Sequence, residues 1–191
     1  MEDDTLNCWK TVNYTKRYGT QRLYLISLIT MLLTFIILYV PTSYFFVTTT
    51  LYDNYFFLFL SGIILMYPVH KLLHYIPVAN LGSKIRKKLE WKYGIYPIIQ
   101  IRVQEPISKS LFLFALLLPF IIITSSLVYA CFLFPHYFHY ITILIAYQTG
   151  LSVSDLVCAY NILRAPKNAM IEENDDGFEI LVTNNVLKTD I

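Results

Sequence analysis

The sequence predicts an all-α membrane protein with four transmembrane helices. Of the 191 residues, 56% are hydrophobic and 15% are charged, against roughly 25% charged residues in a typical soluble domain. No charged side chain occurs from Leu23 to Tyr52, nor between Lys109 and Asp155. Because one helical span needs about 20 apolar residues, the first stretch holds one span and the second holds two. A shorter apolar stretch between them holds one more span, which brings the total to four.

The apolar stretches divide the chain into a polar N-terminal segment, a membrane domain and an acidic tail. Residues 1–22 carry Trp9 and two tyrosines, which suit an interfacial segment at the lipid headgroups. The membrane domain covers residues 23–162, and the tail covers residues 163–191. The first apolar stretch is too long for a signal peptide and no cleavage motif follows it, so we expect it to remain as an anchor. The four predicted spans are residues 23–47, 55–76, 110–134 and 140–162.

Short β segments are predicted in the polar parts. In the long connection of residues 77–109, apolar residues alternate after Pro97, which indicates a short strand. In the tail, Phe178 to Val182 could form a second strand after an Asp-Asp-Gly turn. The predicted fold class is therefore all-α with a short β segment in the connection, and the tail is a candidate for a second.

The distribution of lysine and arginine predicts the topology. The N-terminal segment has four of them, the 77–109 connection has seven and the tail has three, whereas the two short outer turns have none. The positive-inside rule therefore predicts a multi-pass inner-membrane protein whose two termini and 77–109 connection lie in the cytoplasm. The expected partners are the lipid bilayer and a membrane-embedded protein or segment. A net charge of +2 is too small to indicate nucleic-acid binding.

The motif most suggestive of chemistry is His70-Lys71-Leu72-Leu73-His74, near the end of the second span. Histidines four residues apart share one helix face, as in the HExxH signature of zinc enzymes. Lys71 stands where that signature has glutamate. Two other histidines, His136 and His139, lie in an outer turn among tyrosines and are interpreted as interfacial. Cys8, Cys131 and Cys158 show neither a disulfide nor a thiolate-metal spacing.

Asp155 is predicted to lie at the same depth as the histidine pair. From Tyr55 the midpoint of the pair lies roughly 25 Å down span 2, and Asp155 lies roughly 26 Å down span 4 from Phe138. It is the one carboxylate within the four predicted spans, and an ionisable group there usually faces a partner. Gln148 and Ser152 extend a polar stripe toward it. Two imidazoles and a carboxylate form a common zinc ligand set.

With these motifs, the chain resembles the putative zincin peptidases. The resemblance covers roughly residues 20–182 and rests on the HKLLH motif, a strand-bearing connection and Ser152-Val153-Ser154-Asp155 in a later span. These small bacterial membrane proteins share the motif layout of site-2 metalloproteases. The resemblance implies His70, His74 and Asp155 as zinc ligands, and it places Lys71 at the general-base position.

Lys71 leaves the function open at this stage. A protonated lysine cannot take a proton from zinc-bound water as the glutamate does, so a non-catalytic or atypical relative that binds a membrane partner is favoured. An active metallopeptidase using another base and a small scaffold with structural histidines are the alternatives. Two alternatives for the cofactor stay open. In the first there is no metal, because the Lys71 ammonium replaces its charge and pairs with Asp155. In the second the cofactor is Zn²⁺, and Lys71 snorkels toward the cytoplasm.

Overall fold

The computed structural model describes residues 6–13, 19–46, 50–79, 85–92, 96–103, 106–174 and 177–183. Most of these residues are helical. Apolar, charge-free stretches form the helices, because a helix satisfies every backbone polar group within its own segment. The α-helices of the described chain are α1 (Thr20–Phe45), α2 (Phe56–Tyr75), α3 (Lys109–Leu133), α4 (Phe138–Leu151) and α5 (Val153–Leu163), and a short 3-10 helix (Pro135–Tyr137) directly precedes α4.

Three of the described helices are long and apolar enough to cross a membrane, namely α1, α2 and α3. A fourth crossing is present if α4 and α5 together form one span. Each of the three long helices contains a proline in its interior: Pro41, Pro68 and Pro119 respectively. Neither Pro41 nor Pro68 ends its helix.

The fourth predicted span is not one continuous helix. It is broken at Ser152, where α4 and α5 meet with a bend of 47°. The Ser152 hydroxyl donates a hydrogen bond to the carbonyl of Gln148, 2.9 Å away, and Gly150 lies two residues before it. Glycine–serine pairs and back-bonding serine side chains are known causes of helix kinks. The hydropathy along this segment is uniform, so hydropathy did not reveal the break.

The β structure is larger than the sequence predicts. An antiparallel sheet of four strands has the order β1–β6–β5–β4, and β2 and β3 form a separate antiparallel hairpin. The two predicted strands are present as β3 and β6. The strands are β1 (Leu6–Asn13), β2 (Ile85–Lys92), β3 (Tyr96–Val103), β4 (Ile107–Ser108), β5 (Met170–Asn174) and β6 (Gly177–Thr183).

The strand nearest the N-terminus is the main addition to the predicted fold. Residues 1–22 suggested only an interfacial segment, but residues Leu6–Asn13 pair with β6. An irregularity in register between Cys8 and Lys10 interrupts the alternation of side chains that would reveal a strand in the sequence. The pairing is also non-local in sequence, so no short-range pattern announces it.

The chain divides into two compact units. One comprises residues 1–20, 74–116 and 158–191, and its described core joins the sheet to helical residues, with Val12, Phe178 and Ile180 almost fully buried. Lys109 donates hydrogen bonds from Nζ to the carbonyls of Leu163 and Ala165, which closes the C-terminal end of α5.

The other unit comprises residues 21–73 and 117–157. Its described core centres on Cys131, Phe138, Ile141 and Ile145. Helix α1 has no buried residue in the described chain, and its leucines and isoleucines are largely exposed. A helix that is apolar on all sides is expected in a lipid environment rather than in water.

Candidate metal centre

The two histidines of the HKLLH motif lie one turn apart on α2. His70 is almost fully buried, with 3% of its surface exposed, and His74 is half-buried. Helical geometry brings the two residues to the same face of α2.

Asp155 lies in the first turn of α5, directly after the break at Ser152. A carboxylate is stabilised at this position by the backbone N–H groups at the helix N-terminus. Its Oδ2 lies 3.0 Å from Nε2 of His70, and 14% of the Asp155 side chain is exposed. The bend at Ser152 thus sets the direction in which α5 carries Asp155.

The hydrogen bond of His74 determines which of its ring nitrogens carries hydrogen. Nδ1 lies 2.8 Å from the carbonyl oxygen of Ala115, on α3. A carbonyl oxygen can only accept, so Nδ1 is the donor. In the neutral ring, Nε2 then carries the lone pair, which is the form that a metal-binding histidine requires.

Gln148, on α4, contacts the nitrogen of the His70 ring that does not face Asp155. Its side chain is fully buried, and its Nε2 lies 3.0 Å from Nδ1 of His70 and 3.3 Å from the carbonyl oxygen of Pro119. Because the Pro119 oxygen only accepts, the amide nitrogen faces it and donates. In this arrangement Nδ1 of His70 accepts from Gln148, and Nε2 donates to Asp155.

The amide of Gln148 has a second orientation that suits a metal-bound His70. Its Oε1 already lies 3.4 Å from Nδ1, and oxygen and nitrogen positions of such an amide are interchangeable by rotation. With the oxygen turned toward His70, Nδ1–H would donate to Gln148 and the lone pair would lie on Nε2, but the amide N–H would then be turned away from the carbonyl of Pro119. Outer hydrogen-bond partners of this kind select the tautomer of a metal-ligating histidine.

The three side chains are of types, and at a spacing, that could hold a metal ion. One ligand atom from each of His70, His74 and Asp155 can be chosen so that all three lie within 4.8 Å of one another. Ligands of a tetrahedral zinc, bound at about 2.0–2.2 Å, are separated by about 3.4 Å, so the cluster needs only small side-chain adjustments. In the described part of the chain, this is the single group of three histidine, cysteine or acidic residues with such a spacing. That these residues bind zinc remains a prediction.

Lys71 takes no part in the polar contacts of the cluster. It is half-buried, and within the described ranges no hydrogen bond or ion pair includes it. Asp155 contacts His70 instead, so the structure offers no support for the pairing of Lys71 with Asp155. Adjacent residues of a helix diverge by about 100°, which separates Lys71 from the face that carries both histidines.

The outer-turn histidines lie apart from this cluster, in polar contacts of their own. Nδ1 of His136 donates to the carbonyl of Thr50 over 2.8 Å, and its ring stacks on Tyr52. Nε2 of His139 lies 3.3 Å from Oδ1 of Asp53. None of the three cysteines forms a disulfide, as the sequence predicts.

Sequence reasoning missed the outer partners of the cluster. The sequence shows Gln148 in a polar stripe with Asp155, but the stripe does not reveal its contact with His70. The carbonyl of Ala115 has no sequence signal of its own. The signal that could have found it is Pro119, because a proline leaves the carbonyl four residues earlier without its helical donor.

Comparison with known proteins identifies one family. A family model described as "Putative zincin peptidase" matches residues 63–170, more than half of the chain. The matched region includes His70, His74 and Asp155. No curated protein and no solved structure matches the chain.

Proposed function

The chain belongs to the putative zincin peptidase family, and on that premise we propose that it is a zinc-binding membrane protein that does not hydrolyse peptide bonds by the usual route. His70, His74 and Asp155 would hold the metal. The observation that carries the proposal is the convergence of their ligand atoms within 4.8 Å. The orientation of His74 by Ala115 supports it independently, because it presents the nitrogen that a metal needs.

The absence of peptide hydrolysis follows from Lys71. In HExxH enzymes the glutamate after the first histidine accepts a proton from the metal-bound water. A bound zinc would supply Lewis acidity in this site, but a protonated lysine has no acceptor for that proton. The site then serves to bind rather than to cleave, and its expected partner is a membrane-embedded protein segment.

The proposal places this site near the cytoplasmic face of the inner membrane. The apolar helices α1, α2 and α3 support membrane insertion, and the basic N-terminal segment, connection and tail support cytoplasmic termini. Cys8 is an exposed thiol in β1, whereas Cys131 and Cys158 are buried. A membrane-impermeant maleimide should therefore label Cys8 only after cells are permeabilised. Labelling of Cys8 in intact cells would mean that the N-terminal segment lies outside the cytoplasm and would contradict the proposed topology.

Elemental analysis of the purified full-length protein tests the metal assignment. We expect near-stoichiometric zinc in the unmutated protein and its loss in His70→Ala, His74→Ala and Asp155→Ala. His136→Ala removes a histidine outside the cluster and should leave the zinc content unchanged. Trace zinc in a folded, unmutated protein, or zinc retained in all three cluster variants, would refute the assignment.

An assay for hydrolysis of fluorescein-labelled casein in detergent distinguishes a non-catalytic zinc-binding protein from an active metallopeptidase. We expect no difference between the unmutated protein and Asp155→Ala. Cleavage by the unmutated protein that disappears in Asp155→Ala would establish an active peptidase with another base. Failure of the cluster variants to fold, together with no zinc and no activity in the unmutated protein, would instead favour histidines with a structural role.

A further inference from the structure

A single turn of α3, from Ala115 to Pro119, contacts Nδ1 of His74 directly and reaches Nδ1 of His70 through the side chain of Gln148. Pro119 is in the interior of the helix and is almost fully buried. Proline has no backbone N–H, so it cannot make the helical hydrogen bond to the carbonyl of the residue four positions earlier. Here that residue is Ala115, whose carbonyl accepts from His74 instead.

The replacement of one donor by another follows from the cost of a buried, unsatisfied carbonyl. Ala115 is 8% exposed, so water has little access to its backbone. A buried carbonyl without a donor is destabilising, and nearly all such groups in proteins find a partner. The 2.8 Å contact with Nδ1 of His74 supplies one.

The carbonyl of Pro119 itself connects the same turn to His70. It accepts from Nε2 of Gln148, and that amide contacts Nδ1 of His70. One helical turn therefore orients His74 directly and His70 through one intermediate side chain. The contact with Gln148 leaves Nε2 of His70 facing Asp155, where it carries the hydrogen, so only the contact with His74 selects the tautomer that zinc requires.

Pro119 differs in its surroundings from the other helix-interior prolines of the described chain. Pro41 in α1 and Pro68 in α2 are exposed. Pro41 therefore offers a matched control for the effect of removing a proline from a long apolar helix.

We propose that Pro119 is a positioning residue of the zinc site, because its missing N–H reserves the carbonyl of Ala115 for His74 and so selects the tautomer of that histidine. The expected effect of Pro119 on zinc affinity rests on the proposed function, whereas the tautomer of His74 does not require a metal. Alanine at position 119 would return an N–H donor to the Ala115 carbonyl. His74 would then compete with the helix for one acceptor.

The test compares Pro119→Ala and Pro41→Ala with the unmutated full-length protein in detergent micelles. Competition with a chromophoric chelator gives the zinc dissociation constant. We expect Pro119→Ala to weaken zinc binding by about 10–100-fold, the usual effect of losing an outer partner, and Pro41→Ala to leave it unchanged. Alanine is a better helix former than proline, so Pro119→Ala should fold. Pro119→Gly restores the same N–H and serves as a second variant.

Nitrogen-15 NMR of histidine-labelled, zinc-free protein gives a readout that is independent of zinc binding. His74 should be protonated at Nδ1 in the unmutated protein and in Pro41→Ala, and should show a mixture of tautomers in Pro119→Ala. If the unmutated protein binds no zinc, the proposed function fails while this measurement still decides the role of Pro119. An unchanged His74 tautomer in Pro119→Ala and Pro119→Gly, or failure of both variants to fold, would overturn the inference.

Discussion

Nε2 of His70 lies 3.0 Å from Oδ2 of Asp155, although 85 residues separate the two in the chain. The contact depends on the break at Ser152, because Asp155 follows it within one turn. A nearly buried imidazole and a mostly buried carboxylate at this distance form a charge-assisted hydrogen bond when the ring is protonated. The same two atoms can instead bind one metal ion, and the following predictions separate these uses.

Lys71→Glu should create the general base that this member of the family lacks. If His70, His74 and Asp155 hold zinc, a glutamate at position 71 can accept a proton, and a positioned base contributes about 10²–10⁴-fold in rate. We expect measurable cleavage of fluorescein-labelled casein by Lys71→Glu.

Lys71→Gln is the matched control, since it removes the charge without supplying a base and should remain inactive. Adding His70→Ala to Lys71→Glu should abolish the cleavage. A different pattern, with little zinc in the unmutated protein and more in both position-71 variants, would mean that the lysine charge substitutes for the metal.

Gln148→Leu should weaken zinc binding by about 10-fold, at the lower end of the effect of outer-partner mutations. The change removes the amide from a fully buried position and deprives Nδ1 of His70 of its partner. It also leaves the carbonyl of Pro119 without this donor, which should cost about 1–3 kcal/mol of stability. Chelator competition and thermal unfolding in detergent measure the two effects.

Thr149→Ala is the control for Gln148→Leu. It removes a neighbouring hydroxyl that bonds to the carbonyl of Ile145 rather than to His70. Equal zinc affinities in Gln148→Leu and Thr149→Ala would argue against a role of the glutamine in orienting His70.

Gly150→Ala should destabilise the protein because α1 and α4 are in close contact at this position. A Cβ at residue 150 would lie 3.1 Å from Cβ of Met31 and 3.2 Å from the carbonyl oxygen of Ser27. Overpacking of this kind typically costs about 1–3 kcal/mol, which exceeds the gain of up to about 1 kcal/mol from replacing a helical glycine. We expect a lower melting temperature in detergent.

Gly62→Ala provides the comparison for this prediction. Its added Cβ would meet only the end of the Leu144 side chain, at 3.7 Å, which is an ordinary contact. The better helix propensity of alanine should then leave stability unchanged or raise it. If both variants unfold at the same temperature, the α1–α4 contact is looser than these distances indicate.

Local properties of the sequence account for the helices and for the spacing of the histidine pair. Helices form where charge-free apolar stretches exceed the length of a span, and this requires no knowledge of distant residues. The i, i+4 arrangement of His70 and His74 likewise follows from one helix. The alternating strands β3 and β6 are predictable on the same grounds, whereas β1 is not, because its pairing is distant and its register is irregular.

Tertiary structure decided which groups surround the two histidines. The sequence by itself predicted that His70, His74 and Asp155 lie at similar depths, which made them candidates for one site. It could not specify the bend at Ser152. Nor could it specify the hydrogen bond from Nδ1 of His74 to the carbonyl of Ala115, or the contact between Gln148 and His70. These features depend on backbone carbonyls and on the packing of separate helices. Hydropathy and residue spacing describe side chains along one segment, whereas a hydrogen bond between helices depends on how the segments meet.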